Sequence, residues 1–133
     1  MSTGLTFSTE VEVTRRIWRA GQFSYGPADC LISVADHIHR VAGVDPAMLF
    51  RGLYQSEAEA EKIMGTFGGL LGLARFAMAS VGLAKGDRGP GRPVVADVRG
   101  VHVAGIDLGG MVMLRTQRGL IDLRAPVVSA WVI

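Results

Sequence analysis

The chain has 133 residues, 49% of them hydrophobic, a formal net charge of +2 and a single cysteine. That length supports one domain with a real core, while one cysteine excludes an intramolecular disulfide and a thiolate metal cage. Twelve acidic and fourteen basic residues interleave without a basic stripe or aromatic stacking platforms, which argues against nucleic acid as a partner.

The amino terminus lacks the charged-then-apolar layout of a signal peptide. The first predicted element is a helix in "STEVEVTRRIWRAG", with Thr9 as cap, Glu12 three residues on, Val13 and Ile17 at helical spacing, and Gly21 as its stop. A second helix is expected from Asp29 or Cys30, carrying Leu31, Val34, Ile38 and Val41 on one face and ending at Gly43. "SEAEAEKIM" places Ser56 and Glu59 in capping-box positions and reads as an exposed surface helix, docked by Leu49, Phe50 and Tyr54 of the preceding "MLFRGLY". The fourth helix, from about Leu70 to Val81, is apolar nearly all round and is expected between other elements. The long apolar stretch containing it is interrupted by Arg75 and rich in glycine, so membrane insertion is not expected.

At "KGDRGPGRP", residues 85–93, glycine, proline and charge replace apolar periodicity, marking a linker between two halves. Beyond it, "RPVVADV", "VHVAGIDL", "MVMLRTQ", "LIDLRA" and "VVSAWVI" are β-branched or alternating. They are separated by the hairpin signals Arg99-Gly100, Gly109-Gly110 and Arg118-Gly119, and Pro126 marks a bend or an edge. The expected fold class is α+β: a single domain over residues 1–133, with a helical half at about 8–84 packed on an antiparallel β half at about 94–133.

Cys30 follows an Asp at the start of the second helix. A thiol there faces unpaired N–H groups and the positive end of the helix dipole, which favour thiolate; in reactive examples a nearby imidazolium lowers the pKa to roughly 3 to 7. The same N–H groups suit a tetrahedral oxyanion, at about 3 kcal/mol per donor, and Tyr25 in the preceding turn is placed to add a hydroxyl. The alternative is a small buried residue, since free Cys is among the most buried types. His37 lies two turns from Cys30, roughly 10 Å along the helix, too far to hydrogen-bond the thiol, and His39 points elsewhere on that helix. No His-x-x-x-His or carboxylate pair supports a metal site, and no cofactor is expected.

Phe23, Tyr25 and Gly26, then Asp29-Cys30 opening a helix, then Val95 to Val98 and Gly105, Ile106, Leu108 and Gly109 in a hairpin-rich sheet resemble the layout of NlpC/P60 proteins, the papain-like cell-wall cysteine peptidases. The likeness spans about residues 20–116. With the "RGLYQS" insert and the final "AW" strand, it is closer to small phage and prophage proteins that often sit among tail genes.

The resemblance implies a papain-like fold, Cys30 as nucleophile and a His opening the second strand. That His position falls on Val103, with His102 one residue early, so the strand alternation turns His102 toward the side of Ala104, Ile106 and Leu108 and leaves Val103 to face the thiol. The third polar residue falls near Arg115, which cannot accept the imidazole proton, and Asp107 lies toward the far end of the Val103 face. The expected function is therefore a degenerate papain-like scaffold serving as a structural or interaction component of a phage or prophage tail. Tail or baseplate proteins would be its partners, in the virion or in the bacterial cytoplasm before assembly. The alternative is a cysteine peptidase of peptidoglycan stem peptides using Cys30 and His102.

Overall fold

The computed structural model describes residues 3–133, with side chains from residue 9 onward. Among the described residues, helices α1 (Thr3–Ala20), α2 (Cys30–Ala42), α3 (Glu57–Thr66) and α4 (Leu70–Ser80) precede strands β1 (Pro93–Val98), β2 (Val101–Asp107), β3 (Val112–Thr116), β4 (Gly119–Leu123) and β5 (Val127–Ala130). No single described helix is long and apolar enough to cross a membrane.

Helix ends follow local chemistry where the capping residue is decisive. Asp29 caps α2 by accepting from Ile32 N, and Gly43 closes it at φ 77° with its N–H on His39 O. Ser56 accepts from Glu59 N at 3.1 Å, while the Glu59 carboxylate reaches back to Gln55 N at 2.9 Å, one residue before the cap. Thr9, in contrast, is not the N-cap of α1, which is already helical from Thr3. Val11, Thr14 and Trp18 are buried at helical spacing beyond that position, and an interior Thr costs less than about 1 kcal/mol.

Two packing expectations also change. Helix α4 buries Leu73, Ala74 and Met78 but leaves Arg75 and Phe76 exposed, so it lies on the core with one face to solvent. Tyr54 is buried and Phe50 half-buried, whereas Leu49 stands outside at 57% exposure because the turns of this loop aim it outward. Glu57, Glu59 and Glu61 are exposed, as their polarity requires.

The five strands form one antiparallel sheet in the order β4-β3-β2-β1-β5. Arg99 and Gly100 turn β1 into β2 with φ of 53° and 84°, the paired positive values of a two-residue hairpin. Pro126 O accepts from Asp97 N at 2.9 Å beside a register shift between Val95 and Ala96, so this proline does mark a bend. The 85–93 segment is stitched down rather than slack. Lys85 bridges Trp131, Gly86 N bonds Ala130 O, and the Arg88 guanidinium grips buried Asp107 at 3.0 and 2.8 Å.

The sheet buries both faces. Val95, Ala104, Ile106 and Met113 pack with Val11, Trp18, Val34, Ile38, Ala74 and Met78 from the helices. Val94, Ala96, Val112, Leu114 and Ala130 form the other cluster, joined by Val98, Val103 and Leu123 and by no described helix residue. Gly105 lies against β3 on that face: a Cβ there would lie 2.6 Å from Val112 Cγ1, 2.7 Å from Leu114 Cδ2 and 2.8 Å from Met113 O. Gly105→Ala is expected to destabilise the fold by about 1–3 kcal/mol through overpacking, read as a lower urea midpoint.

His37 ties α2 to α1 and to the turn before β1. Its Nε2–H donates to Gly91 O at 2.9 Å, which leaves Nδ1 to accept from the Thr14 hydroxyl at 2.6 Å. Arg40 completes the join by donating to both Thr14 and the Glu10 backbone carbonyl. Burial holds the His37 pKa below its ordinary value of 6.5, with the neighbouring Arg40 charge acting in the same direction. Because the unfolded chain then binds the extra proton, this site's contribution is intact above about pH 6.5 and falls as pH drops below it. Urea titrations between pH 7.5 and 5 are expected to show that loss, and a His37→Gln variant to show a shallower slope.

Candidate functional site

The segment before α2 is built around one carboxylate. Ser24 and Ala28 exchange backbone hydrogen bonds at 3.3 and 2.9 Å, closing a turn that returns the chain toward the helix start. Within it Gly26 takes φ 98°, and a Cβ there would lie 2.3 Å from Tyr54 O, so only glycine allows this approach. Its N–H donates to Asp29 Oδ2 at 2.9 Å, the Tyr54 hydroxyl donates to the same oxygen, and Asp29 Oδ1 takes Ile32 N at 3.0 Å. Burial, then the bond to Asp29, keeps the Tyr54 hydroxyl protonated far above its ordinary range.

Strands β2 and β3 pair only through Ile106 with Met113 and Asp107 with Val112. Beyond that pairing, toward the start of β2, the first turn of α2 meets both strands. The Ala104 backbone N–H is directed at the Cys30 sulfur, together with the N–H groups of Leu31 and Cys30 itself, while Arg115 Nη1 donates to Ser33 Oγ at 3.1 Å. These N–H groups favour thiolate, yet the thiol pKa is pushed up to about 11, first by burial and then by the Asp29 charge. The residue as a whole keeps partial exposure, but the sulfur is enclosed, and it is the sulfur's surroundings that set its ionisation.

The strand faces correct the expectation about His102. It does share a side with Ala104 and Ile106, but that is the side turned to the helices and the thiol; Val103 packs in the opposite cluster. No hydrogen bond joins Cys30 to an imidazole among the described residues. His102 lies in an open groove with Glu61, Met64, Gly65, Gly69, Leu70 and Val101, at the α3–α4 corner. It sits two residues from Ala104, roughly 7 Å along the strand.

The other candidates have their own partners. Tyr25 OH, expected to serve the thiol, accepts from Gln117 Nε2 at 2.9 Å, and its ring meets Phe23 edge-on at 5.1 Å. Burial raises its pKa, and the Glu57 and Asp29 charges add to that. Arg115, where the third polar residue would stand, is buried with its guanidinium over Gly21 at the carboxyl end of α1, where the helix dipole supplies negative charge. Asp107 is fully buried and engaged by Arg88 and by Gly109 N at 2.9 Å. His37 is a buried joint, and His39 is exposed. The contacts Tyr54–Asp29, Gln117–Tyr25 and Arg115–Ser33 span 25, 92 and 82 residues, distances over which the sequence carries no local signal.

Residues 6–133 match a family described as a domain of unknown function (DUF6950). The chain belongs to that family. No curated protein and no solved structure matches it. The DUF6950 match runs from α1 through the last strand, so the Cys30 turn and both strands it meets lie within it.

An anion beside a thiol opposes its ionisation. Asp29→Asn keeps an oxygen for the helix cap while removing that charge, and it is expected to lower the Cys30 pKa from about 11. Iodoacetamide labelling followed against pH should begin at lower pH in this variant than in the parent.

Proposed function

We propose that this DUF6950 chain is a papain-like scaffold of NlpC/P60 type that performs no peptidase chemistry and acts as a structural or interaction component of a phage or prophage tail. The observation that carries the non-catalytic part is the state of the thiol. The Cys30 sulfur is enclosed and stands beside the Asp29 charge, both of which hold it in the thiol form, and no imidazole among the described residues hydrogen-bonds to it, whereas a nucleophile of this class needs a thiolate or a base within hydrogen-bond reach. Support for the papain-like reading comes from a Cys-headed helix laid on an antiparallel sheet, together with the resemblance carried by Phe23, Tyr25, Gly26, Asp29, Cys30 and the Gly105-to-Gly109 strand. Support for the tail assignment is that resemblance alone, extended by "RGLYQS" and the final "AW".

A second reading, a peptidase of peptidoglycan stem peptides with His102 as base, is favoured by one observation: His102 shares the sheet face that meets Cys30. The two readings separate on the pH dependence of Cys30 alkylation in the parent and in His102→Ala. The scaffold reading expects slow labelling at pH 5 in both proteins, with matching profiles up to pH 10. Rapid labelling at pH 5 that disappears in His102→Ala would reveal an ion pair and establish the peptidase reading instead. Cys30→Ala is expected to remain folded, at a cost of about 1 kcal/mol in lost sulfur contacts.

A further inference from the structure

Among the described residues, three that carry a full charge at neutral pH are buried: Asp29, Asp107 and Arg115. The two carboxylates are compensated, Asp29 by three hydrogen bonds and Asp107 by the Arg88 guanidinium. Arg115 is not. It forms no ion pair within the described residues, and residues 1–8 contain no Asp or Glu that could supply one. The carboxylate that acts on it, Asp36, is engaged by Arg51 at 2.7 Å. The carbonyl end of α1 offers it about half a charge, and a buried cation left short of counter-charge is costly. Its pKa moves accordingly, lowered by burial against the pull of Asp36.

The guanidinium has one edge in use and one edge free. Nη1 donates to the Ser33 hydroxyl at 3.1 Å, and no other hydrogen bond of this side chain is formed with the described residues. Nε and Nη2 remain, the edge on which two parallel N–H groups match the two oxygens of a carboxylate. That edge is not sealed off. Ser129 Oγ is the one side-chain polar atom among the described residues that is both buried and without a partner, so the free nitrogens of Arg115 reach solvent. Gly21, which is exposed, lies against Nη2 with no side chain to close the approach; a Cβ there would come within 2.7 Å of that nitrogen.

We propose that the Nε–Nη2 edge of Arg115 is a binding site for a small monocarboxylate, one carboxylate group on a short uncharged body. A single guanidinium with a neutral hydroxyl beside it suits one negative charge, and the carbonyl end of α1 repels a second. That favours a carboxylate over a phosphate dianion. The site requires neither a reactive Cys30 nor the tail reading.

The test uses the full chain at pH 7, with sodium acetate as the probe and sodium chloride at equal ionic strength as the reference. A ligand that binds the folded state raises the melting midpoint with its concentration. Acetate is expected to raise it beyond chloride, with a dissociation constant on the order of 10 mM, and its methyl protons to show saturation transfer from the protein. Arg115→Lys keeps the charge but loses the fork, and is expected to weaken acetate binding at least about tenfold. Arg115→Gln is expected to abolish it, and Arg118→Gln, at an exposed arginine in the β3–β4 turn, to preserve it. Circular dichroism establishes that each variant is folded; should Arg115→Gln not fold, Arg115→Lys decides. Acetate acting no differently from chloride on the parent overturns the proposal, as does an acetate effect that Arg115→Lys leaves at full strength. Inorganic phosphate displacing acetate at concentrations below those at which acetate itself binds would overturn it in favour of a phosphate site.

Discussion

One carboxylate organises the half of the molecule that carries the thiol. Asp29 accepts three hydrogen bonds, from the turn before it, from the helix after it and from Tyr54 in the loop that follows that helix. Such charge-assisted bonds are worth roughly 1.5–3 kcal/mol each when buried. The same charge stands beside Cys30 and opposes its ionisation. The group that places the cysteine at a helix start, where thiolates are usually favoured, therefore also keeps it a thiol. Burial and Asp29 outweigh three backbone N–H groups, and that balance decides what the site can do.

The sheet completes the arrangement through where its strands part. β2 and β3 stay together at Ile106 and Met113, and beyond that pair each strand turns to α2 instead, Ala104 toward Cys30 and Arg115 toward Ser33. Gly105 makes the close packing there possible, because a side chain would collide with the backbone and two side chains of β3. Arg115 acts as a tie between sheet and helices, with Ser33 as acceptor and the end of α1 as counter-charge.

Features written in adjacent residues were legible in the sequence. The caps at Asp29, Gly43 and Ser56, the stop at Gly21, the hairpin at Arg99-Gly100 and the bend at Pro126 each depend on a few neighbours. The order of helices and strands follows from them, and so does the α+β class. Features fixed by tertiary packing were not legible. Strand alternation reveals that His102 and Ala104 share a side, but not that this side meets the helices, so it does not tell which face Val103 takes. Thr9 has a capping side chain in a context that continues the helix, and Leu49 has an anchor's chemistry in a turn that points outward. The partner of Asp29 on the far loop, Tyr54, belongs to the same class of unwritten information.

The strand order also bears on how the chain reaches this state. β1 has one neighbour that arrives by a two-residue turn and another, β5, that pairs Val94 with Ala130 across almost the whole sheet sequence. Local hairpins close in microseconds, whereas distant pairings must first overcome the entropy of a long loop. Until β5 docks, the inward face of β1 lacks Ala130 and the helix-facing core lacks Trp131. During synthesis, then, the β4-to-β1 meander can form early while one edge of β1 stays open, and the fold closes only after the final strand has left the ribosome.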